Sequence, residues 1–290
     1  MEKINCIICS KKNAHYFITL TDRLNKSSQK YKLLQCRCGF IYLNPRPPSK
    51  EIHKYYQSIS YDPHNKLPNS VWNIFYKNIQ QLTVRWKYSI IKQHFNIGSI
   101  LDIGGGKGEF AKFIHKKDWD VMMQDSVTDY SDRKHNISFC KELKDIPPLK
   151  KYNVITLWHS LEHIHNIKGL FNSIHKLLKE SGIIIIAVPN MNAPERKFYK
   201  NNWAPYDAPR HLYHFNLNSL NKLCRQNGFD IIRKYSLFQD MPYNVLLSIE
   251  SYSPLNIAKA VFVMIYSFIS TLFRGPEYSS SLLIVCKKSI

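Results

Sequence analysis

A strand that runs into Asp-x-Gly-x-Gly-x-Gly leaves a chain few options, and residues 101–110, LDIGGGKGEF, are such a stretch. Gly104, Gly106 and Gly108 alternate at the start of a helix, where missing side chains let a ligand approach the backbone closely. A dinucleotide fingerprint needs its third glycine where Glu109 stands, and a phosphate loop needs Gly-Lys-Ser or Gly-Lys-Thr. Asp102, two residues before the first glycine, is a fixed carboxylate that repels a pyrophosphate. It suits a cation instead, such as the ammonium or sulfonium end of S-adenosylmethionine. About twenty residues later Asp125 closes the next strand, where an acid can accept hydrogen bonds from both ribose hydroxyls.

The surrounding pattern alternates short strands and helices: SILDI, GEFAKFIHKK, DVMMQD and YNVITLW in order. A helix is predicted next over IKGLFNSIHKLLKESG, with Ile167, Leu170, Phe171, Ile174, Leu177 and Leu178 on one side and Gly182 just past its end. The run IIIIAV is apolar throughout, as expected of a strand covered on both faces. The order is that of a doubly wound α/β sheet. Three units are expected: a cysteine-rich module over residues 1–48, a helical connector over 49–98 and a core over 99–290. In the connector Val71, Ile74, Phe75, Ile79, Leu82, Trp86 and Ile90 form one apolar stripe that packs on the core.

Seven cysteines in a chain without an apolar opening segment imply a reducing, cytoplasmic setting, with thiols serving burial or metal rather than disulfides. The net charge of +20 divides into +12 over residues 1–98, +2 over 99–190 and +6 over 191–290. An anionic partner therefore meets the flanks: nucleic acid, a phosphorylated sugar or an acidic membrane surface; a solvated lysine-rich surface is the alternative.

With these elements placed, the chain resembles the class I S-adenosylmethionine-dependent methyltransferases. LDIGGGKGEF looks like their first motif and WDVMMQD like their second-strand acid. ITLWHSLEHIHN is similar to the segment after strand four in a subfamily reading W-H-x-L-E-H. VPN, Trp203 and APRHLYHFNLNSL are similar to its Pro-Asn after strand five and a later Arg-His-x-x-x-Phe stretch. The resemblance implies a seven-stranded, mostly parallel sheet whose last strand, SSLLIVCKK, is antiparallel. It also implies S-adenosylmethionine across the carboxyl ends of strands one, two and four, held by Asp102, Gly104, Gly106, Gly108, Asp125 and His159. Relatives usually meet the adenine amino group with an acid or amide near strand three, where this chain has Cys140, Lys141 and Glu142.

The amino terminus looks like the zinc-binding knuckle of the same subfamily. Cys6 and Cys9 have the usual two-residue gap, and Cys36 and Cys38 are one residue closer. Four thiolates suit a tetrahedral, structural zinc ion with no open position. Methyl transfer from a sulfonium needs alignment and, for some acceptors, a base. His211 is the expected base and His159 the next candidate, while Glu162 orders its loop. Arg210, His214 and Trp203 are the expected substrate contacts.

Residues 241–279 interrupt the last two strands, and NIAKAVFVMIYSFISTLF within them is nearly continuous apolar sequence. Flanking strands that pair in one sheet rule out a true span. A capping helix, a dimer contact or membrane contact through 257–273 remain. The expected activity is methyl transfer to a small-molecule or lipid-linked acceptor, with a sugar as the first choice. A membrane-proximal quinone or lipid is the second choice, and nucleic acid a third that no recognisable binding motif supports.

Overall fold

The computed structural model describes residues 1–25, 27–56, 70–127 and 137–289, the side chains of 70–79 excepted. Its centre is a seven-stranded sheet built from β4 (Ser99–Ile103), β5 (Asp120–Gln124), β6 (Ser138–Cys140), β7 (Tyr152–Trp158), β8 (Leu178–Pro189), β10 (Phe229–Ser236) and β11 (Ser281–Lys288). The spatial order is β10-β11-β8-β7-β4-β5-β6. Strands β4 to β8 pair in parallel, and β11 runs antiparallel between β8 and β10. This is the Rossmann-like sheet that the strand and helix alternation predicts.

Period-two alternation within each strand divides the core into two layers. Ile184, Ile186 and Val188 of β8 face one layer with Ile155, Leu157, Leu282 and Ile284. Ile183, Ile185 and Ala187 face the other with Val154, Leu283 and Val285. All six β8 residues are fully buried, each isoleucine contributing about 1.5–3 kcal/mol relative to exposure. Helices α3 (Ile167–Leu177) and α5 (Leu217–Gln226) cover the first layer through Leu170, Phe171, Ile174, Leu220 and Leu223. Helices α1 (Ser70–Lys92) and α2 (Glu109–His115) cover the second through Ile90, Ile91, Phe110 and Ile114.

Two details depart from the periodicity of the sequence. Helix α3 ends at Leu177, and Leu178 opens β8 opposite Tyr152; residues 179–182 form an irregularity, so Gly182 lies in the strand rather than beyond a helix. Asn166 caps α3 by accepting from the Gly169 amide at 2.9 Å. In α1, Trp86 and Ile90 of the expected stripe pack on the core, whereas Leu82 is 59% exposed and Val84 is buried in its place. Val71, Ile74, Phe75 and Ile79 lie outside the described side chains.

A second, antiparallel sheet contains β1 (Ala14–Asp22), β2 (Ser27–Cys36), β3 (Ile41–Leu43) and β9 (Tyr213–His214) in that order. Its fourth strand comes from far along the chain: Ile41 pairs with His214 and Tyr42 with Tyr213. Leu33, Phe40 and Tyr42 share one apolar cluster with Phe215 and Leu220. The residue 48 boundary therefore separates stretches of sequence but crosses a common sheet and core.

The 241–279 insertion folds as α6 (Asp240–Ser248) and α7 (Pro254–Arg274). Between them they connect β10 to β11. The short helix α4 (Glu195–Tyr199) packs beside α7. Ser253 caps α7, accepting from the Asn256 amide, and Pro254 follows at the first helical position.

Candidate active site

Parallel strands deliver their carboxyl ends to one edge, and chain order reverses between β4 and β7, the place where such sheets bind ligands. At the end of β4 the chain turns into α2 through Gly104, Gly106 and Gly108, whose φ angles are 72°, 54° and 75°. A β-carbon on Gly104 would stand 2.5 Å from the Ser160 β-carbon, so the turn packs too closely for any side chain there. Gly106 has open space instead, with none of the described residues within 4 Å of the same position. That opening is where backbone can meet a ligand.

Two carboxylates flank the turn. Asp102 is buried and accepts from Thr156 Oγ1 at 2.7 Å. Burial raises its pKa to about 6, against the opposing effects of the Thr156 bond and the Lys87 ammonium. Asp125 accepts from the Gly106 amide at 2.9 Å through one oxygen and from the Val127 amide at 2.9 Å through the other. It therefore braces the turn through both carboxylate oxygens. Near strand three, Cys140 is buried and burial pushes its thiol up to about 11, while the Lys141 carbonyl accepts from Gln124 Nε2 at 2.7 Å.

After β7 the chain places His159 at φ 51°, an unusual conformation for a residue with a side chain. Its Nε2 lies 2.8 Å from Asp240 Oδ2, and its Nδ1 lies 3.6 Å from Glu162 Oε1. Burial opposes its charge, but the Asp240 pair and Glu162 outweigh that and raise the pKa to about 10. His159 is thus a cation near neutral pH, able to donate a hydrogen bond but unsuited to taking a proton.

His211 and His163 stack edge to face with ring centroids 4.6 Å apart, and His214 is 6.4 Å from His211. Burial and the neighbouring His211 lower His163 to about 4 and His214 to about 3, so both are neutral imidazoles. His211 Nδ1 lies 2.7 Å from the Pro205 carbonyl, which fixes a proton there and leaves Nε2 as the acceptor. Buried Glu162 is held ionised despite desolvation by His159, His211 and His163. Neither of its oxygens has a hydrogen-bond partner among the described residues. Asp207 Oδ2 is 3.9 Å from His211 Nε2. Two carboxylates, Glu162 and Asp207, thus stand beside His211.

The model encloses all three expected substrate contacts. Arg210 is fully buried and reaches Asp22 at 2.9 Å and Asp207 at 2.6 Å, tying the amino-terminal sheet to the histidine loop. Trp203 is buried edge-on against Tyr206, with centroids 5.0 Å apart. His214 lies in β9 and packs on Tyr206. Each of the three therefore also holds the fold together, Arg210 through two buried ion pairs. Two groups at the site escape sequence reasoning. Asp240 arrives at the start of α6, and Lys87 of α1 lies 4.3 Å from the Trp158 ring centroid. The charges of Asp240 and Asp102 oppose the depression of the Lys87 pKa by burial. No sequence spacing links either residue to the glycine turn.

The four amino-terminal cysteines converge. All their sulfurs lie within 4.8 Å of one another, with Cys6 to Cys38 at 3.5 Å and Cys9 to Cys36 at 3.4 Å. Four sulfurs at Zn–S bonds near 2.3 Å would stand roughly 3.8 Å apart, so donor set and spacing fit a tetrahedral zinc ion despite the short second pair. Glu162, His163 and His211 also offer ligand atoms within 4.8 Å of each other.

A family model described as a methyltransferase domain matches residues 72–234. A 1,6-didemethyltoxoflavin-N1-methyltransferase from Burkholderia thailandensis, solved with 1,6-didemethyltoxoflavin and S-adenosylhomocysteine, has a TM-score of 0.54 at 14% identity. That likeness covers 96% of this chain and 100% of the other. A magnesium protoporphyrin IX methyltransferase from Synechocystis PCC 6803, with bound S-adenosylhomocysteine, gives 0.51 at 11% identity over 83% of this chain and 100% of its own. At such identities the likeness is one of fold. A malonyl-[acyl-carrier protein] O-methyltransferase 2 of Ilyobacter polytropus is 28% identical over 123 residues, 35% of this chain and 48% of its own. The chain spans about half the length of that relative.

Proposed function

Because the chain belongs to the methyltransferase-domain family and is a class I S-adenosylmethionine-dependent methyltransferase, we propose that it methylates a small-molecule or lipid-linked acceptor, with a sugar hydroxyl as the preferred class. The observation that carries this reading is the shared edge of the sheet, where the glycine turn with Asp102 and Asp125 adjoins a histidine cluster containing an oriented base. S-adenosylmethionine supplies a methyl group on a sulfonium, open to in-line attack. Asp102 and the turn of Gly104, Gly106 and Gly108 provide negative charge and close backbone for that cation. Asp125 provides acceptors for ribose hydroxyls, and cationic His159 serves as a donor. His211 takes the acceptor proton at Nε2, oriented through Nδ1 by the Pro205 carbonyl, with Glu162 and Asp207 stabilising the imidazolium.

The W-H-x-L-E-H stretch and the cysteine module support the sugar subfamily. The partial relative named for malonyl-[acyl-carrier protein] favours a second reading, a carboxylate acceptor, which needs no base. A panel of nucleotide sugars, phenols and acyl carboxylates incubated with isotopically labelled methyl donor separates the two. For a hydroxyl acceptor, His211→Asn lowers turnover by roughly 10²- to 10⁴-fold while S-adenosylhomocysteine binding persists. Unchanged turnover removes the base from the scheme, and label in none of the panel removes the acceptor classes.

The cysteine cluster is proposed as a structural zinc site held by Cys6, Cys9, Cys36 and Cys38. Elemental analysis of the purified chain then gives one zinc per molecule, and Cys9→Ser abolishes it. Chelation lowers the thermal midpoint of the native chain; a metal content below a tenth of an equivalent after folding in zinc would refute the site.

A further inference from the structure

Helix α7 is oriented against the usual rule for a surface helix. The residues it buries are Ala260, Val263, Ser267, Ser270 and Thr271, mostly small or polar. Those it exposes include Leu255, Ile257, Val261, Phe262, Ile265, Phe268, Ile269, Leu272 and Phe273, with Leu255 at 79% and Phe273 at 82%. At 3.6 residues per turn these side chains fill one continuous arc of about 180°. Phe198 extends the patch through Phe262 and Tyr266, and Phe238 through Phe268. The apolar area is on the order of 1,000 Å², against the few hundred typical of the largest patch on a soluble monomer.

Charge selects the occupant. Residues 251–276 contain Lys259 and Arg274 and no acid, and exposed Lys197 and Lys200 stand on the neighbouring segment. A second copy of a chain carrying +20 would bring like charges together across this face, whereas an anionic lipid surface neutralises them. Helix α7 is long and apolar enough to cross a bilayer. Spanning is nevertheless excluded, because β10 and β11 on either side of the insertion pair with each other in one sheet.

We propose that α7 docks the protein onto an anionic membrane, lying in the interface with its 255–273 apolar face among the lipids. Docking rests on the helix alone. If the methyl-transfer reading also holds, the surface serves a membrane-borne acceptor, since α6 packs on α7 and carries Asp240 to within 2.8 Å of His159.

Flotation of the full-length protein with phosphatidylcholine vesicles, with and without phosphatidylglycerol, tests this. The protein is expected to float with the anionic vesicles and to bind the neutral ones at least tenfold more weakly. The triple variant Phe262→Ser, Ile265→Ser, Phe273→Ser changes exposed positions and is expected to lose at least tenfold in vesicle binding while keeping its affinity for S-adenosylhomocysteine. Failure to float with either vesicle overturns the proposal. So does a stable dimer in light scattering that the triple variant dissociates, which would identify the face as a contact between copies. Retained nucleoside binding in either case leaves the enzyme reading standing.

Discussion

Asp125→Ala weakens binding of S-adenosylhomocysteine by roughly 30- to 150-fold, corresponding to about 2–3 kcal/mol for lost charge-assisted hydrogen bonds. Two effects combine in that figure. The carboxylate braces the glycine turn through the Gly106 and Val127 amides, each at 2.9 Å, so its removal loosens the turn. It is also the proposed acceptor for the ribose hydroxyls, which would lose their partner. Asp125→Asn keeps one acceptor oxygen and falls between the two, because its amide group faces a backbone N–H that also needs an acceptor. Titration calorimetry on the three proteins orders them. Equal affinities would place the nucleoside somewhere other than this crevice.

Arg210→Met costs about 3–5 kcal/mol of stability, the range for stranding one side of a buried ion pair. The guanidinium meets Asp22 at 2.9 Å and 3.2 Å, and Asp207 at 2.6 Å, 3.0 Å and 3.1 Å. Both Arg210 and Asp22 are fully enclosed, so the variant leaves a buried carboxylate without its counter-charge. At about 2–4 °C per kcal/mol for a chain of this size, the thermal midpoint falls by roughly 10 °C. Arg210→Met combined with Asp22→Asn recovers part of the loss, since one of the stranded charges is gone. A substrate anchor behaves differently: its replacement raises KM and leaves the midpoint in place. Calorimetric melting together with initial rates tells the two roles apart.

The sheet was legible because its evidence is local. Hydrophobic runs such as IIIIAV report burial on both faces, and glycine spacing reports a turn, without reference to anything distant. The cysteine pairs were legible for the same reason, and convergence of their sulfurs follows from two short turns. Errors arose where a tertiary contact decides. Leu178 continues the helical stripe in sequence, yet pairing with Tyr152 recruits it into β8. The Arg210 pair with Asp22, 188 positions earlier, has no sequence mark. Asp240 and Lys87 were invisible at the site because they reach it from α6 and α1 by folding alone. The apolar insertion was visible, but periodicity says how a helix divides its residues and not which side meets the core.

The pairing of β3 with β9 also sets an order of events at the ribosome. Roughly 170 residues separate the two strands, so at 5–20 residues per second the amino-terminal sheet waits on the order of 10–30 s with β3 as an open edge. During that interval β3 has β2 on one side and no strand on the other. Closure comes with the same loop that carries His211, so the last strand to join the small sheet also positions the proposed base.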